Sequence, residues 1–312
     1  MNVAAGLLIY SVATMVLAPT LLSALTRGGS APRFGVAAWL TAVVSVLATW
    51  IVIPVLVILD VVFHGGRRTS FLASCVEFLC DIAAGRAGIV AQATVMVGAV
   101  ALFVALVRVG IKAQRTIRRL RAHADGHAQA VRLVGRPTDQ RDVFIVGTSE
   151  RTAYCVAGKP SAIVVTTGAI AALGSDELQA VLAHERAHLD GRHPKIVTAL
   201  RGLAMVFPRL RLMTRGAADV GRLLEMCADD VAVRRHGQHT LLSGLMALAG
   251  ATPAQALGAA DVALLNRAER LALPPAPWIR VGAGAGLFGA MAVIALVPVA
   301  TVVLGASGLL CR

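Results

Sequence analysis

Four nearly uncharged apolar stretches, at about residues 3–24, 36–59, 88–107 and 282–304, restrict this chain to folds that use a lipid bilayer. Each approaches the ~20 residues that an α-helix needs to cross the hydrocarbon core. Pro19, Pro54 and Pro298 fall inside them, which embedded helices tolerate because neighbouring groups satisfy the freed carbonyls. The 312 residues are 57% hydrophobic, whereas soluble chains run nearer ~45–50%. Most of the charge gathers between residues 110 and 280, a length suited to one compact water-soluble domain. The expected organisation is a membrane region with three spans over 1–109, an inserted domain over 110–280, and a fourth span with a short tail over 281–312. Met1 and Asn2 carry no positive side chain ahead of the first span, so it reads as an uncleaved anchor rather than a signal peptide.

Orientation follows from the cations beside the spans. Arg108, Lys112, Arg115, Arg118, Arg119 and Arg121 follow the third stretch and Arg280 precedes the fourth. Such a cluster belongs on the cytoplasmic side of the cell membrane. Both termini and the 62–87 loop are then outside, with the Arg27/Arg33 loop inside; Arg67, Arg68 and Arg86 in the outer loop argue weakly the other way. The net charge of +13 is accounted for by this anchoring, so the expected partner is the bilayer and no direct nucleic-acid binding is expected. The basic run 108–121 reads equally as a solvated helical extension or as a contact for anionic head groups. Gly282, Gly284, Gly286 and Gly289 could permit close helix contact in the last span, and Trp278 suits an interfacial anchor. Cys75 and Cys80 share the outer loop, where a disulfide is chemically feasible, although apolar packing or free thiols is the preferred reading.

Within the insert, residues 143–146, 153–157 and 162–166 read as short strands, with a turn at Gly158-Lys159-Pro160. Ser175 is positioned to cap a helix running to about Leu189, with Asp176 and Glu177 in its first turn. A second helix is expected over about 219–235, stopped by Gly237, and further ones at 239–249 and 262–271. The first of these helices carries His184-Glu185-Arg-Ala-His188. Two histidines four apart project from one helix face and can share a metal ion, and Glu185 beside them can take a proton from water on that metal. Zinc needs a third protein ligand and an open fourth position. Glu225 on the second helix can supply the ligand, while Asp229, four residues on and on the same face, can orient a ligand histidine. Cys227, about 200° around the helix from Glu225, points away and reads as a small buried hydrophobe.

HExxH followed by E-x-x-x-D on a later helix resembles the gluzincin peptidases of the membrane-bound antirepressor type, the BlaR/MecR family. The prenyl-protease and heat-shock membrane peptidases share that core. The order of spans, protease domain and last span is also similar to the antirepressor family. The resemblance implies an α-helical multi-pass membrane protein with four transmembrane helices and an inserted, mainly helical α+β protease domain. It further implies one zinc ion per chain and a substrate strand that pairs on the edge strand near 153–167. Two departures stand out. Only a short tail follows the fourth span, so the penicillin-binding sensor domain of the antibiotic-sensing members is not expected. His193 stands where relatives often have an acidic residue; it could polarise a substrate carbonyl, contact Asp229 or Asp190, or lie on the surface, the last or a supporting role being favoured. A metzincin-type third histidine would fall at Pro194, so that ligand set fails.

The implied chemistry is hydrolysis of a peptide bond in a cytoplasmic or membrane protein, with zinc polarising the carbonyl and Glu185 as the general base. The resemblance suggests a transcriptional repressor in a signalling pathway, and the enzyme itself, as substrates. Membrane-protein quality control is the second enzymatic reading. A zinc-binding scaffold or signalling protein without turnover is the third, and a fortuitous HExxH the least favoured.

Overall fold

The computed structural model describes residues 3–63, 89–140, 142–250 and 259–306. The expected outer loop with Cys75 and Cys80 therefore lies outside the described residues. Helices α1 (Val3–Thr26) and α2 (Pro32–Phe63) form a hairpin, and the long α3 (Ile89–Val134) is next in the chain. Strands β1 (Arg136–Pro137), β2 (Val143–Val146), β3 (Ala153–Val156) and β4 (Ala162–Thr166) come after it. The rest is helical: α4 (Thr167–Ala172), α5 (Ser175–Asp190), α6 (His193–Val206), α7 (Arg211–His236), α8 (Gln238–Leu248), α9 (Ala259–Ala272) and α10 (Pro277–Ala306).

Among the described residues, Val3–Thr26, Pro32–Leu56 and Pro277–Gly305 are long and apolar enough to cross a membrane. Their outer faces expose Leu8, Val16, Ile51, Phe288 and Leu296, which only lipid would cover without cost. The expected span at 88–107 falls on the first part of α3, whose opening side chains lie outside the described residues. No break separates that part from the basic segment after it, because α3 continues as one helix to Val134.

Several polar groups inside the three-helix cluster are paired, although the buried Trp39 Nε1 of α2 has no hydrogen-bond partner among the described residues. Pro298 has no N–H to offer the carbonyl of Ile294, four residues earlier in α10. Tyr10 Oη of α1 donates to that carbonyl at 2.7 Å and also lies 2.7 Å from Ser45 Oγ of α2. Trp50 Nε1 donates to Ser11 Oγ at 2.9 Å. Of the four expected α10 glycines, only Gly284 faces a neighbouring helix, lying against Phe34, whereas Gly282, Gly286 and Gly289 have open space beside them; Gly305, later in α10, lies close against Val3 of α1. The expected small-residue contact thus shrinks to one position. Trp278 is exposed in the first turn of α10.

The sheet has the order β1-β2-β4-β3, with β2 and β4 parallel and both outer pairs antiparallel. Strand β4 is buried along its whole length, and its side chains alternate between the two faces as a pleat requires. Ala162 and Val164 pack with Ala128 and Val131 of α3, while Ile163 and Val165 pack with Val181 and Leu182 of α5. The sheet therefore presses directly on the helix that carries the HExxH motif. That helix starts one residue earlier than expected: Gly174 is the N-cap, and the Glu177 carboxylate accepts its N–H at 2.9 Å. The carboxylate satisfies a free backbone donor at the positive end of the helix dipole, a role expected of Ser175.

Helix α7 is longer than expected, beginning at Arg211 rather than near 219. It stops at Gly237, whose φ of +84° suits a residue without Cβ. Its apolar stripe, Leu212, Met213, Val220, Leu223, Leu224 and Met226, shares one core with Trp39, Val43 and Val46 of α2 and Leu22 of α1. Trp39 lies flat enough against α7 that a side chain at Gly216 would meet its ring at 3.2 Å. Polar bonds reinforce the join. Ser23 Oγ donates to Asp219 at 2.6 Å, Arg222 donates to the Thr26 and Arg27 carbonyls, and Arg270 of α9 bridges the Gly29 carbonyl and Asp230. The last carbonyls of α1 are thus capped by cations from another part of the fold.

Tyr10→Phe should lower the stability of the detergent-solubilised protein by about 0.6–1.7 kcal/mol, the scale of polar contacts between membrane helices. Pro298→Ala restores an N–H for Ile294, so the same substitution should cost less in that background, as a double-mutant thermal-unfolding cycle will read. Equal costs in both backgrounds would refute the assigned role of Tyr10.

Candidate metal centre

Helix periodicity brings the imidazoles of His184 and His188 to the same side of α5, and the crossing of α5 by α7 brings Glu225 to them. His184 Nε2 and His188 Nε2 are 3.1 Å apart. Glu225 Oε2 lies 3.4 Å from the first and 3.5 Å from the second. A zinc ion with bonds of ~2.0–2.2 Å at tetrahedral angles holds its ligand atoms about 3.3–3.6 Å apart; both carboxylate separations fall in that range, and the imidazole pair at 3.1 Å is slightly tighter. The donor types fit it as well, two imidazoles and one carboxylate being a known set for sites that keep a fourth position open. The imidazole side chains are 5% and 10% exposed and that of Glu225 is 41% exposed. The cluster is therefore closed behind the histidines and open on the carboxylate side, where a substrate can enter.

Around these atoms stand groups that orient them. His184 Nδ1 lies 3.1 Å from Asp229 Oδ1, at ion-pair distance without hydrogen-bond alignment. Asp229 is fully buried and is gripped by Arg267 of α9, which donates from Nε at 2.9 Å and from Nη2 at 2.6 Å. Arg267 Nη1 also stands 3.4 Å from Glu225 Oε2. One planar guanidinium therefore spans both carboxylates of the E-x-x-x-D motif, which a lysine could not do.

His193 opens α6, directly after the turn that ends α5. It is buried, and its Nδ1 lies 3.0 Å from His188 Nδ1 rather than against Asp229, Asp190 or solvent. For His188 Nε2 to face a cation, its proton must sit on Nδ1, so Nδ1–H donates to His193 Nδ1 and leaves the His193 proton on Nε2. His193 thus supports His188 from behind. Of the expected alternatives the supporting role holds and the surface position and acidic partner do not: the turn at Gly191-Arg192, where Arg192 adopts φ +53°, brings His193 against His188.

The charges follow this geometry. Burial alone would lower the His184 pKa, but the Asp229 and Glu225 carboxylates raise it to about 9. Burial pushes Glu225 up, and the two histidines with Arg267 hold it well below the ordinary carboxylate range. Asp229 is likewise held low against burial, by Arg267 and His184. Glu185 behaves differently: burial raises it and the Glu225 charge adds to this, against the pull of His184 and His188. Nearby on β3, the Cys155 thiol is raised by burial and by the Glu185 charge, so it stays protonated. A carboxylate raised towards neutrality is suited to take and return a proton. His193 is lowered to about 4 by burial and by His188, which keeps it neutral as a partner for His188. Cys227 is buried in the core facing the membrane helices, away from the cluster as expected.

The sequence alone gave no signal for Arg267, because forty-odd residues of chain separate it from Glu225 and arginines are common throughout. Cys155 is equally silent in sequence; its position opposite Glu185 is created by the packing of β3 on α5. Arg267→Ala should weaken zinc binding about 10–100-fold, the usual cost of losing a partner of a metal ligand, and Arg267→Lys should recover only part of it. Competition against a chromogenic chelator measures this, and unchanged affinity in both variants would exclude the assigned role.

Compared with protein-family models, residues 115–272 match Peptidase family M48, a zinc metallopeptidase family. The match begins within α3 and ends with α9, enclosing the sheet, the HExxH helix, Glu225 and Arg267. Neither the curated proteins nor the solved structures yield a match.

Proposed function

This chain belongs to peptidase family M48, and from that premise we propose that it is an integral membrane zinc endopeptidase with His184, His188 and Glu225 as metal ligands and Glu185 as general base. The single observation that carries the reading is the convergence of those three ligand atoms, within 4.8 Å of one another, beside a carboxylate whose pKa burial has raised. When bound there, one zinc ion per chain would supply Lewis acidity, polarising the scissile carbonyl and bringing the pKa of water to about 7. Glu185 takes the proton of the attacking water on its carboxylate and passes it to the departing amine nitrogen. Asp229 and Arg267 hold His184 and Glu225 in place, and His193 holds His188.

The membrane arrangement proposed is four spans, the third being the start of α3, with the M48 domain in the cytoplasm. The cations from Arg108 to Arg121 support that orientation by the positive-inside rule. So does the bonding of the Arg27 turn to α7 and α9, which requires both to lie on one side of the bilayer. The resemblance to antirepressor peptidases nominates a cytoplasmic transcriptional repressor, and the chain itself, as substrates in a signalling pathway. A quality-control enzyme would instead show membrane proteins among its substrates.

Glu185→Gln should retain zinc by elemental analysis and lose at least about 100-fold in cleavage rate, the contribution of a positioned base. Cleavage by that variant at the wild-type rate would remove Glu185 from the mechanism. Quantitative proteomics of cells carrying either form then separates the two substrate classes by which fragments depend on the glutamate. A variant series that binds zinc with no glutamate-dependent fragment would favour the non-catalytic scaffold.

A further inference from the structure

A cavity of about 450 Å³ lies between the soluble part of α3, strand β3 and the first turn of α6. It is not part of the metal cluster, yet it shares walls with it. Cys155, whose thiol is influenced by the Glu185 charge, lines it, and so does Pro194, the neighbour of His193. Its charged lining is of one sign. Arg121 of α3 and Lys195 of α6 both line it, together with His123 and His127, and no carboxylate lines the space. Neither Arg121 nor Lys195 takes part in an ion pair among the described residues. The far wall is aromatic: His127 and Tyr154 stack with ring centroids 5.9 Å apart, and His127 Nε2 lies 3.2 Å from Tyr154 Oη.

Strand β3 is an outer strand of the sheet. Thr166 N–H donates to the Thr152 carbonyl, so by two-residue alternation the backbone groups of Ala153 and Cys155 point away from β4, out of the sheet. A substrate strand added there would run past the metal cluster with alternate side chains leaning towards α3 and towards α5. The side chains leaning towards α3 enter the cavity. Two cations without carboxylate partners, lining one space large enough for a side chain, are complementary to a single negative charge.

We propose that this cavity is a specificity pocket that selects an acidic side chain, Asp or Glu, close to the scissile bond of the substrate. The inference rests on the peptidase reading and adds the chemical class of residue that the enzyme recognises. A protein with this pocket prefers exposed acidic segments, and it disfavours cleavage beside lysine or arginine, whose charge the pocket repels.

The test uses the full-length protein in detergent with a proteome-derived peptide library as probe, sequencing new termini and counting only cleavages absent from Glu185→Gln. Wild type should show Asp and Glu enriched at one position within about three residues of the cut, the reach of one strand segment. Synthetic peptides carrying Glu or Gln at that position then give a ratio of kcat/KM, expected to be about tenfold or more in favour of Glu. Arg121→Glu/Lys195→Glu should abolish or invert that ratio, and Arg121→Gln/Lys195→Gln should bring it near one. Because each ratio is taken within one protein preparation, loss of folded enzyme cancels. Glutamate-dependent cleavage without acidic enrichment, or a ratio that both double variants leave unchanged, overturns the pocket and leaves the peptidase reading standing. Absence of any Glu185-dependent cleavage overturns both.

Discussion

Three ligand atoms borne by two helices can converge to within about 3.5 Å only if the crossing of α5 and α7 is held to a fraction of that distance. Everything else in the molecule can be understood as supplying that restraint. Electrostatics will not do so unaided, since two imidazoles facing each other at 3.1 Å gain nothing without a cation or a shared proton between them. The helices are instead wedged in place. On one side, the sheet presses on α5 through Ile163, Val165, Val181 and Leu182. On the other, α7 is packed against the membrane hairpin through Leu223, Met226 and Trp39. Each such side chain contributes on the order of 1.5–3 kcal/mol when taken out of water, and together they fix the crossing before any metal binds.

The polar shell then acts over shorter distances. Asp229 and His193 approach the two histidines from behind, at 3.1 Å and 3.0 Å, so neither ring can turn its far nitrogen into the cluster. Arg267 joins Asp229 to Glu225, which couples the carboxylate that orients a ligand to the carboxylate that is one. Since all these groups are buried or half-buried, their mutual attractions are screened less than those of surface ion pairs. The same enclosure sets Glu185 apart, because it is raised where Glu225 and Asp229 are lowered. Carboxylates of one cluster are thereby given opposite protonation tendencies by their surroundings.

How much of this was legible depended on the range over which each signal acts. The i, i+4 pairs His184/His188 and Glu225/Asp229 are statements about one helix, and periodicity reveals them directly. The strands at 143–146 and 162–166 were legible for the same reason, as short β-branched runs between turn residues. Short-range details were lost where two residues compete for a single role, as Gly174 and Ser175 do at the start of α5. The early start of α7 was hidden because its first turns carry arginines on one face and pack apolar residues on the other, a pattern that reads as a loop without its partner. Arg267, Cys155 and the inward turn of His193 depend on contacts between separate elements, and no local pattern encodes them. The span expected at the start of α3 illustrates the remaining gap, since hydropathy predicts an end to it where the helix itself does not change.

The packing of α7 against α1 and α2 has a consequence for how the protein can be taken apart. A cut that follows hydropathy would release 110–280 as an apparently self-contained enzyme. It would also strip Trp39 from Gly216 and uncover Leu212, Val220, Leu223 and Met226 along one flank of the helix that bears Glu225. Asp219 would lose Ser23, and Arg222 and Arg270 would lose the backbone carbonyls they hold. The α1–α2 hairpin is therefore part of the interior on which the helix bearing Glu225 packs, and a boundary drawn by hydropathy would cut through that core.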